Sequence, residues 1–268
     1  MSDADYSHNV ARFTGFAPLY DRYRPSPPAV LGDLLTRMAQ TPRPELVVDL
    51  GCGTGLSTRY WAERAERVIG IEPTPSMIDQ AIELGAENVT FAKGLSHATG
   101  LPDACAEIVT CSQSLHWMNP LGTFKEVARI LKPGGVFAAF DYDWPPATGF
   151  WKLDALYLDC IASALKRETH LSLDRGLQRW DKDTHLARMQ HSGVFRHTRE
   201  LAVHHTDRGD AARLVGLLLS QGHIQTLLKN GVSEHELGID RLREAATKAL
   251  GSHAWSWLWT SRVRLGIV

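Results

Sequence analysis

The feature that constrains this chain most is an apolar run at 46–50, followed by three alternate glycines within 51–55 and, further on, by a second apolar run that ends in Glu72. The first run is typical of a buried strand, and the glycines predict a turn that leaves the backbone open to a ligand. Residues 56–64 can be helical, so the free N–H groups of a helix start face that ligand. Glu72 follows the glycines by roughly 20 residues, the distance at which a βαβ unit places a carboxylate on a ribose diol. The sequence therefore predicts a site for a nucleoside-bearing cofactor.

Two common phosphate-binding turns do not fit this stretch. A dinucleotide fingerprint requires glycine at its sixth position, and counting from Gly51 that position is Leu56. The chain has no Gly-Lys-Ser or Gly-Lys-Thr after the turn, which excludes a P-loop. A glycine-rich turn in a Rossmann-like fold that has lost its ligand stays the alternative.

Residues 49–55, Asp-Leu-Gly-Cys-Gly-Thr-Gly, resemble motif I of the class I S-adenosylmethionine (SAM)-dependent methyltransferases. The resemblance implies an α/β fold, a Rossmann-like seven-stranded mixed sheet with an α-helical cap, which binds SAM and releases S-adenosylhomocysteine. SAM carries a cationic amino acid moiety and no phosphate, so an acid before the glycines is useful. The cofactor-binding residues implied here are Asp49, Gly51, Gly53, Thr54, Glu72, Pro73 and Met77, although a methionine at helical spacing is also typical of a core.

A second resemblance concerns residues 20–25, Tyr-Asp-Arg-Tyr-Arg-Pro. They are similar to the N-terminal segment of small-molecule methyltransferases of the methyltransferase type 11 group, related to trans-aconitate methyltransferase, in which this segment folds over the cofactor as a lid. The resemblance implies that Tyr23 and Arg24 bind the cofactor, with Arg24 on its carboxylate, and that Tyr20 lines the methyl-transfer pocket as a catalytic candidate. Plain packing of the segment onto the sheet edge is the alternative.

Two further stretches resemble other motifs of the same methyltransferases. Residues 94–103 occupy the place of motif II, but Leu95 cannot accept a hydrogen bond from the adenine amine, so we expect Ser96 and His97 to serve there. Residues 112–117 resemble the motif IV region, which would bring Ser112 and Gln113 carbonyls close to the sulfonium. A solvated loop position for His97 stays open. The Leu-Lys-Pro-Gly-Gly turn at 131–135 strengthens the match.

The acceptor side is predicted from residues at the carboxyl ends of later strands, where open α/β sheets bind ligands. His116 is the best general-base candidate by its reference pKa, and Trp117 faces the substrate or packs beneath it. Tyr142 and Trp144 follow strand 5 on the same side. The predicted substrate residues are Tyr20, His116, Trp117, Tyr142 and Trp144.

The predicted organisation has four parts. Residues 1–40 form the lid segment and first helix, 41–145 the SAM-binding Rossmann-like core, 146–253 a helical cap with strand 6, and 254–268 the final antiparallel strand. Within the cap, Trp151, Leu153, Leu156, Tyr157, Ile161 and Leu165 predict a helix with an apolar stripe.

Composition limits the partners. A formal net charge of −1 without a basic stripe argues against nucleic acid, and no apolar run of about 18 residues exists to cross a membrane. The 4 cysteines are scattered and no metal-binding spacing occurs, so we expect free thiols, no metal and a cytoplasmic monomer or homodimer.

The resemblance implies SN2 methyl transfer from SAM to a small-molecule acceptor, most simply a carboxylate or hydroxyl oxygen, with catalysis mainly by proximity. Alternatives are a C- or N-methyltransferase of a natural-product intermediate and a non-catalytic SAM-binding regulatory protein. A short-chain dehydrogenase would require a Tyr-x-x-x-Lys pair past strand 4, which is missing from the sequence.

Overall fold

The computed structural model describes residues 6–13 and 17–268; positions 1–5 and 14–16 of the predicted lid lie outside the described residues. The strands are β1 Leu46–Leu50, β2 Arg67–Glu72, β3 Val89–Lys93, β4 Ala106–Ser112, β5 Leu131–Tyr142, β6 His197–Gly209 and β7 Trp255–Ile267. The helices are α1 Ser7–Arg12, α2 Ala17–Tyr23, α3 Ala29–Met38, α4 Leu56–Tyr60, α5 Pro75–Glu83, α6 Pro120–Ile130, α7 Trp151–His170, α8 His185–Ser192, α9 Ala211–Leu219, α10 Gly222–Lys229 and α11 Ile239–Ala249. Short 3₁₀ turns lie at Leu115–Trp117 and Lys182–Thr184. No helix among these is both long and apolar enough to cross a bilayer.

All strands belong to one sheet of 7 strands in the order β3-β2-β1-β4-β5-β7-β6. β1 pairs in parallel with β2 and β4, while β7 runs antiparallel to both of its neighbours. The predicted Rossmann-like seven-stranded mixed sheet is therefore confirmed. The order reverses between β1 and β4, so the switch point that usually binds a ligand lies beyond the carboxyl ends of these two strands.

The two faces of the sheet are covered by different helices. Val47 points to a core with Leu31 and Leu35 of α3, whereas Val48 points to the opposite core with Phe124 of α6 and Met189 of α8. β1 is buried on both faces. Its sequence therefore lacks the alternation of apolar and polar residues that is typical of a half-buried strand.

The helices inserted around β6 have their own core. Tyr157 of α7, Leu214 of α9 and Leu242 of α11 pack around Trp257 and Trp259 of β7. The alternate tryptophans of β7 thus join the cap to the sheet. The predicted α-helical cap is present, and its exact boundaries stay a prediction.

Arg264 fastens β7 to the strands on both sides. Its side chain is 1% exposed, and its guanidinium donates to Asp141 Oδ2 at 3.0 Å on β5 and to Glu200 Oε2 at 2.7 Å on β6. A buried charge that loses its partner costs several kcal/mol, because water cannot replace the lost interaction.

We expect Arg264→Met to lower the free energy of unfolding by about 3 kcal/mol in urea denaturation, the lower end of the usual range because Lys182 also contacts Asp141. The matched control is Arg262→Met on the same strand. Its ion pair with Asp143 is half exposed, so it should cost less than about 1 kcal/mol. Equal losses for the two variants would contradict this account of the sheet.

Candidate active site

Backbone hydrogen bonds join the turn after β1 to β2. Gly51 and Cys52 both donate their N–H groups to the carbonyl of Ile71, at 2.7 and 3.1 Å. Gly51 has a φ of +63°, and a Cβ there would lie 2.6 Å from Met118 Cε. Gly53 also has a positive φ, +56°, but a Cβ there would meet nothing within 4 Å. Gly51 is therefore required by packing, whereas Gly53 leaves bare backbone facing a cavity.

Glu72 closes this turn from the end of β2. Its carboxylate accepts hydrogen bonds from the Gly53 N–H at 3.0 Å and from the Thr74 N–H at 2.9 Å. The side chain is buried, and this burial raises its pKa while the hydrogen bonds act in the opposite direction. Each carboxylate oxygen has lone pairs left, and Glu72 lines the cavity, so a pair of ligand hydroxyls can bind there.

Asp49 is hydrogen-bonded within the protein and does not line the cavity. Its carboxylate accepts from the hydroxyls of Ser57 at 2.6 Å, Thr58 at 2.8 Å and Thr110 at 2.8 Å, and the residue is fully buried. Burial raises the pKa of Asp49, and the hydroxyls partly offset this. Asp49 lies behind the cavity wall, where it ties α4 and β4 to the end of β1.

Two other predicted cofactor ligands also lie outside the cavity. The Thr54 hydroxyl donates to Asp21 Oδ1 at 3.1 Å, and Tyr23 packs against Gly216 of α9. Asp49, Thr54 and Tyr23 therefore do not line the cavity: these side chains support its wall, because their polar or aromatic groups are used within the protein. Their contact with a ligand stays a prediction.

The remaining predicted cofactor residues do meet around one cavity at the switch point. The wall includes Tyr20, Arg24, Gly51, Gly53, Glu72, Pro73, Met77, Ser96, His97, Ser112, Gln113, Trp117 and Tyr142. Met77 is also 2% exposed, so its core and lining roles coexist. The Ser96 hydroxyl is hydrogen-bonded to Thr123 Oγ1 at 2.7 Å, which leaves its backbone for a ligand.

Helix α1 covers this cavity. Asn9, Val10 and Phe13 line it, and the Asn9 amide donates to the carbonyls of Trp117 at 2.8 Å and Gln178 at 2.7 Å. The sequence analysis missed Asn9. The sequence around Asn9 does not indicate its role, because its hydrogen-bond partners lie more than 100 positions away.

Gln113 stands between this cavity and a second one. It has a φ of +54°, uncommon for a residue with a side chain, and its N–H donates to the Phe140 carbonyl at 2.9 Å. Its Oε1 accepts from Lys182 Nζ at 3.0 Å. Such backbone strain is found at functional sites where the surroundings enforce it.

The second cavity adjoins the first and shares Phe13, Tyr20, Arg24, Gln113 and Trp117 with it. The predicted substrate residues His116 and Trp144 lie here. Its other walls are Arg12, Leu158, Ile161, Leu165, Arg179, Lys182, Gln221, Gly222 and His223.

Within the part of the chain that the structure describes, the charged lining of the second cavity is entirely cationic. Arg12 is paired with Glu168 at 2.7 Å and Lys182 with Asp141 at 2.8 Å, and neither carboxylate lines the cavity. Arg24 lies between the rings of Tyr20 and Trp144, at 4.8 and 4.5 Å, and donates to Ser220 Oγ at 2.8 Å. Arg179 lies over Trp117 at 5.4 Å.

Neither Arg24 nor Arg179 forms an ion pair with any carboxylate in residues 6–13 and 17–268. Arg24 is half-buried and Arg179 is exposed at the edge of the cavity, and two guanidinium groups without carboxylate partners beside one cavity favour an anionic ligand.

His116 is neutral in this setting. Its Nδ1 is buried without a hydrogen-bond partner, 3.7 Å from Asp141 Oδ1. Burial, and then the charges of Lys182 and Arg179, lower the pKa of His116 well below its usual value. Among the described residues, no group of three or more His, Cys, Asp or Glu side chains is arranged to hold a metal ion.

Arg179 and Lys182 come from a segment whose sequence has no clear periodicity. Residues 178–182 cross over the β4 loop, where the Trp180 N–H donates to the His116 carbonyl and the Trp180 indole to the Met118 carbonyl, both at 2.8 Å. Arg12, Arg179, Lys182 and His223 were missed because only tertiary contacts bring them together.

Comparison with known proteins gives the same picture for the core. Residues 48–139 match the family described as "Methyltransferase domain". An uncharacterised methyltransferase of Mycobacterium tuberculosis is 35% identical over 117 residues, which cover 43% of this chain and 46% of the relative. The malonyl-[acyl-carrier protein] O-methyltransferase of Serratia marcescens is 34% identical over 107 residues, or 40% of this chain and 42% of the relative.

These alignments therefore span about half the length of the curated relatives. A solved structure from Anaeromyxobacter dehalogenans, a proposed type II methyltransferase, superposes with a TM-score of 0.65 at 23% identity and covers 91% of this chain and 98% of its own. At that identity the likeness shows the fold alone.

Proposed function

We propose that this chain, whose residues 48–139 match a methyltransferase domain, is a class I SAM-dependent methyltransferase that transfers a methyl group from SAM to a carboxylate oxygen of a small molecule. The observation that carries the choice of acceptor is the second cavity, which adjoins the first at Gln113. Among residues 6–13 and 17–268, its lining has four cationic side chains and no carboxylate. The more specific likeness to trans-aconitate methyltransferases stays a prediction.

The first cavity fits SAM. Gly53 leaves room beside bare backbone, and Glu72 presents a buried carboxylate that can accept hydrogen bonds from two ribose hydroxyls. Ser96 and His97 border the place for the base, and the Ser112 and Gln113 backbone borders the place for the sulfonium. When bound, SAM supplies an electrophilic methyl group, so that the acceptor oxygen forms a C–O bond as the C–S bond breaks and S-adenosylhomocysteine remains.

The second cavity fits a carboxylate acceptor. Arg179 can bind one carboxylate oxygen, and Lys182, held by Asp141 and Gln113, adds positive charge beside it. Arg24 lines both cavities and is available to the carboxylate of the cofactor. A carboxylic acid is already ionised at neutral pH, so the reaction requires no proton transfer by the protein. Its contribution is to hold the two reactants in contact and away from water.

One of the relatives is named an O-methyltransferase. Its likeness covers only 40% of this chain, but it supports oxygen as the acceptor atom. A C- or N-methyltransferase would have less use for a cavity whose charged lining, as far as the structure describes the chain, is cationic.

Glu72→Gln should weaken binding of S-adenosylhomocysteine by about 10- to 100-fold in isothermal titration calorimetry. Loss of a charge-assisted hydrogen bond removes roughly 1.5–3 kcal/mol, and the amide cannot accept from both Gly53 and Thr74. Glu83→Gln, at an exposed position of α5, is the matched control and should leave the Kd unchanged. An unaltered Kd for Glu72→Gln would show that this carboxylate does not bind the ribose.

Arg179→Met should lower kcat/KM for carboxylic acid acceptors by about 10- to 100-fold, because it removes a charged donor to the acceptor. The Kd for S-adenosylhomocysteine should stay within about twofold, since Arg179 does not line the first cavity. Methyl esters are quantified by mass spectrometry, with Arg175→Met from the same exposed segment as the control. Equal kcat/KM values for the two variants would rule out Arg179 as the acceptor's ligand.

His116→Gln should change kcat/KM for a carboxylic acid by less than about 10-fold, and the wild-type profile should be flat from neutral to mildly alkaline pH. The reason is that an ionised acceptor needs no base, although His116 is neutral and could serve as one. A loss of more than about 100-fold would indicate general-base catalysis and would favour a hydroxyl acceptor instead.

A further inference from the structure

Helix α7 has two apolar faces. One, with Leu153, Tyr157 and Ala164, is buried in the core of the cap. The other is an exposed stripe at helical spacing, which consists of Trp151, Ala155, Leu158, Ala162 and Leu165. Trp151 is 72% exposed, Leu158 50% and Leu165 38%, so the described residues leave much of this second face uncovered.

The exposed stripe is continuous with the second cavity. Leu158 and Leu165 line the cavity although both are exposed, which places them at its mouth, and Ile161 lies between them on the wall. Trp151 is seven residues before Leu158 on the same helix face, about 10 Å further along the axis. An apolar path therefore leads from the cavity onto the surface.

The inner part of the second cavity is charged, whereas its mouth is apolar. Arg12 and Lys182, whose side chains are 4% and 27% exposed, make the inner part cationic, whereas Leu158, Ile161 and Leu165 make the outer part apolar. A ligand that matches both parts is an amphiphile with one anionic end and one apolar chain.

We infer that the acceptor is a carboxylic acid with a long apolar chain, whose carboxylate binds in the cationic cavity and whose chain leaves past Leu165 and Leu158 and lies along the stripe towards Trp151. This inference rests on the proposed carboxylate methyl transfer and narrows its substrate. It explains why a helix of a folded protein keeps large apolar side chains in water, since the chain of the substrate covers them.

The test uses the purified full chain with SAM and a series of straight-chain acids from butanoic to hexadecanoic acid, with methyl esters measured by mass spectrometry. kcat/KM should rise roughly two- to four-fold for each added methylene, the upper value being that for complete burial of a CH₂ group. The rise should level off once the chain has reached Trp151. A flat profile with efficient esterification of short acids would overturn the inference and leave the proposed function intact.

Leu158→Asp places a charge on the path, and because Leu158 is half exposed the variant should fold. The ratio of kcat/KM for dodecanoic acid to that for butanoic acid should fall by at least about 10-fold. Ile82→Asp, which alters a comparably exposed residue (60%) outside both cavities, is the control and should keep the wild-type ratio. An unchanged ratio in Leu158→Asp would overturn the inference.

Two further outcomes separate the possibilities. If no acid is esterified although S-adenosylhomocysteine binds, the proposed methyl transfer is wrong. The apolar path is then tested by calorimetric titration of the same acids into the S-adenosylhomocysteine-loaded protein, in which the affinity must rise with chain length. If the wild type is a dimer that Leu158→Asp converts into a monomer, with no chain-length dependence in either, the stripe is an interface between two copies and the inference is refuted.

Discussion

Two buried carboxylates, Asp49 and Glu72, hold the turn between β1 and α4 in one shape, and the rest of the site depends on that shape. Burying a carboxylate is costly unless its oxygens are hydrogen-bonded. Asp49 meets this requirement with three hydroxyls from α4 and β4, and Glu72 with two backbone N–H groups from the turns after β1 and β2. Together they place Gly53 at the cavity wall, where its missing side chain leaves space for a ligand.

The acceptor side is built from parts that are distant in sequence. The segment at 178–182 is fastened to the β4 loop by Trp180 and brings Arg179 and Lys182 to the end of β5. Lys182 joins Gln113 to Asp141, and Asp141 in turn is held by Arg264 of β7. β7 thus contributes to the site indirectly: its Arg264 orients the Asp141 carboxylate, and this carboxylate orients Lys182. Gln113 and Arg24 line both cavities, which makes them the border across which two reactants would meet.

Sequence reasoning worked where the signal was local. β1 is predicted from its apolar run, the turn from its alternate glycines, and the position of Glu72 from βαβ spacing. Most of the residues predicted around the cofactor lie on the wall of the first cavity. Sequence reasoning did not foresee the partners of Asp49, because the three hydroxyls that engage its carboxylate come from positions that no motif singles out. The sequence could not show which apolar side chains of α7 face the core and which face water. Leu153 and Leu165 both belong to the apolar pattern of this helix, but Leu153 is buried and Leu165 is exposed. The cationic cavity was missed because irregular segments and single arginines give no periodic pattern, and only the folded chain brings them together.

A crystal structure of this chain with S-adenosylhomocysteine tests the central claim most directly, because it shows which atoms meet the ligand. The account predicts that the two ribose hydroxyls lie within hydrogen-bonding distance of the Glu72 carboxylate, with the ribose beside Gly53 and the sulfur near Gln113. A ligand bound elsewhere, or a ribose that contacts Asp49 in place of Glu72, would contradict it.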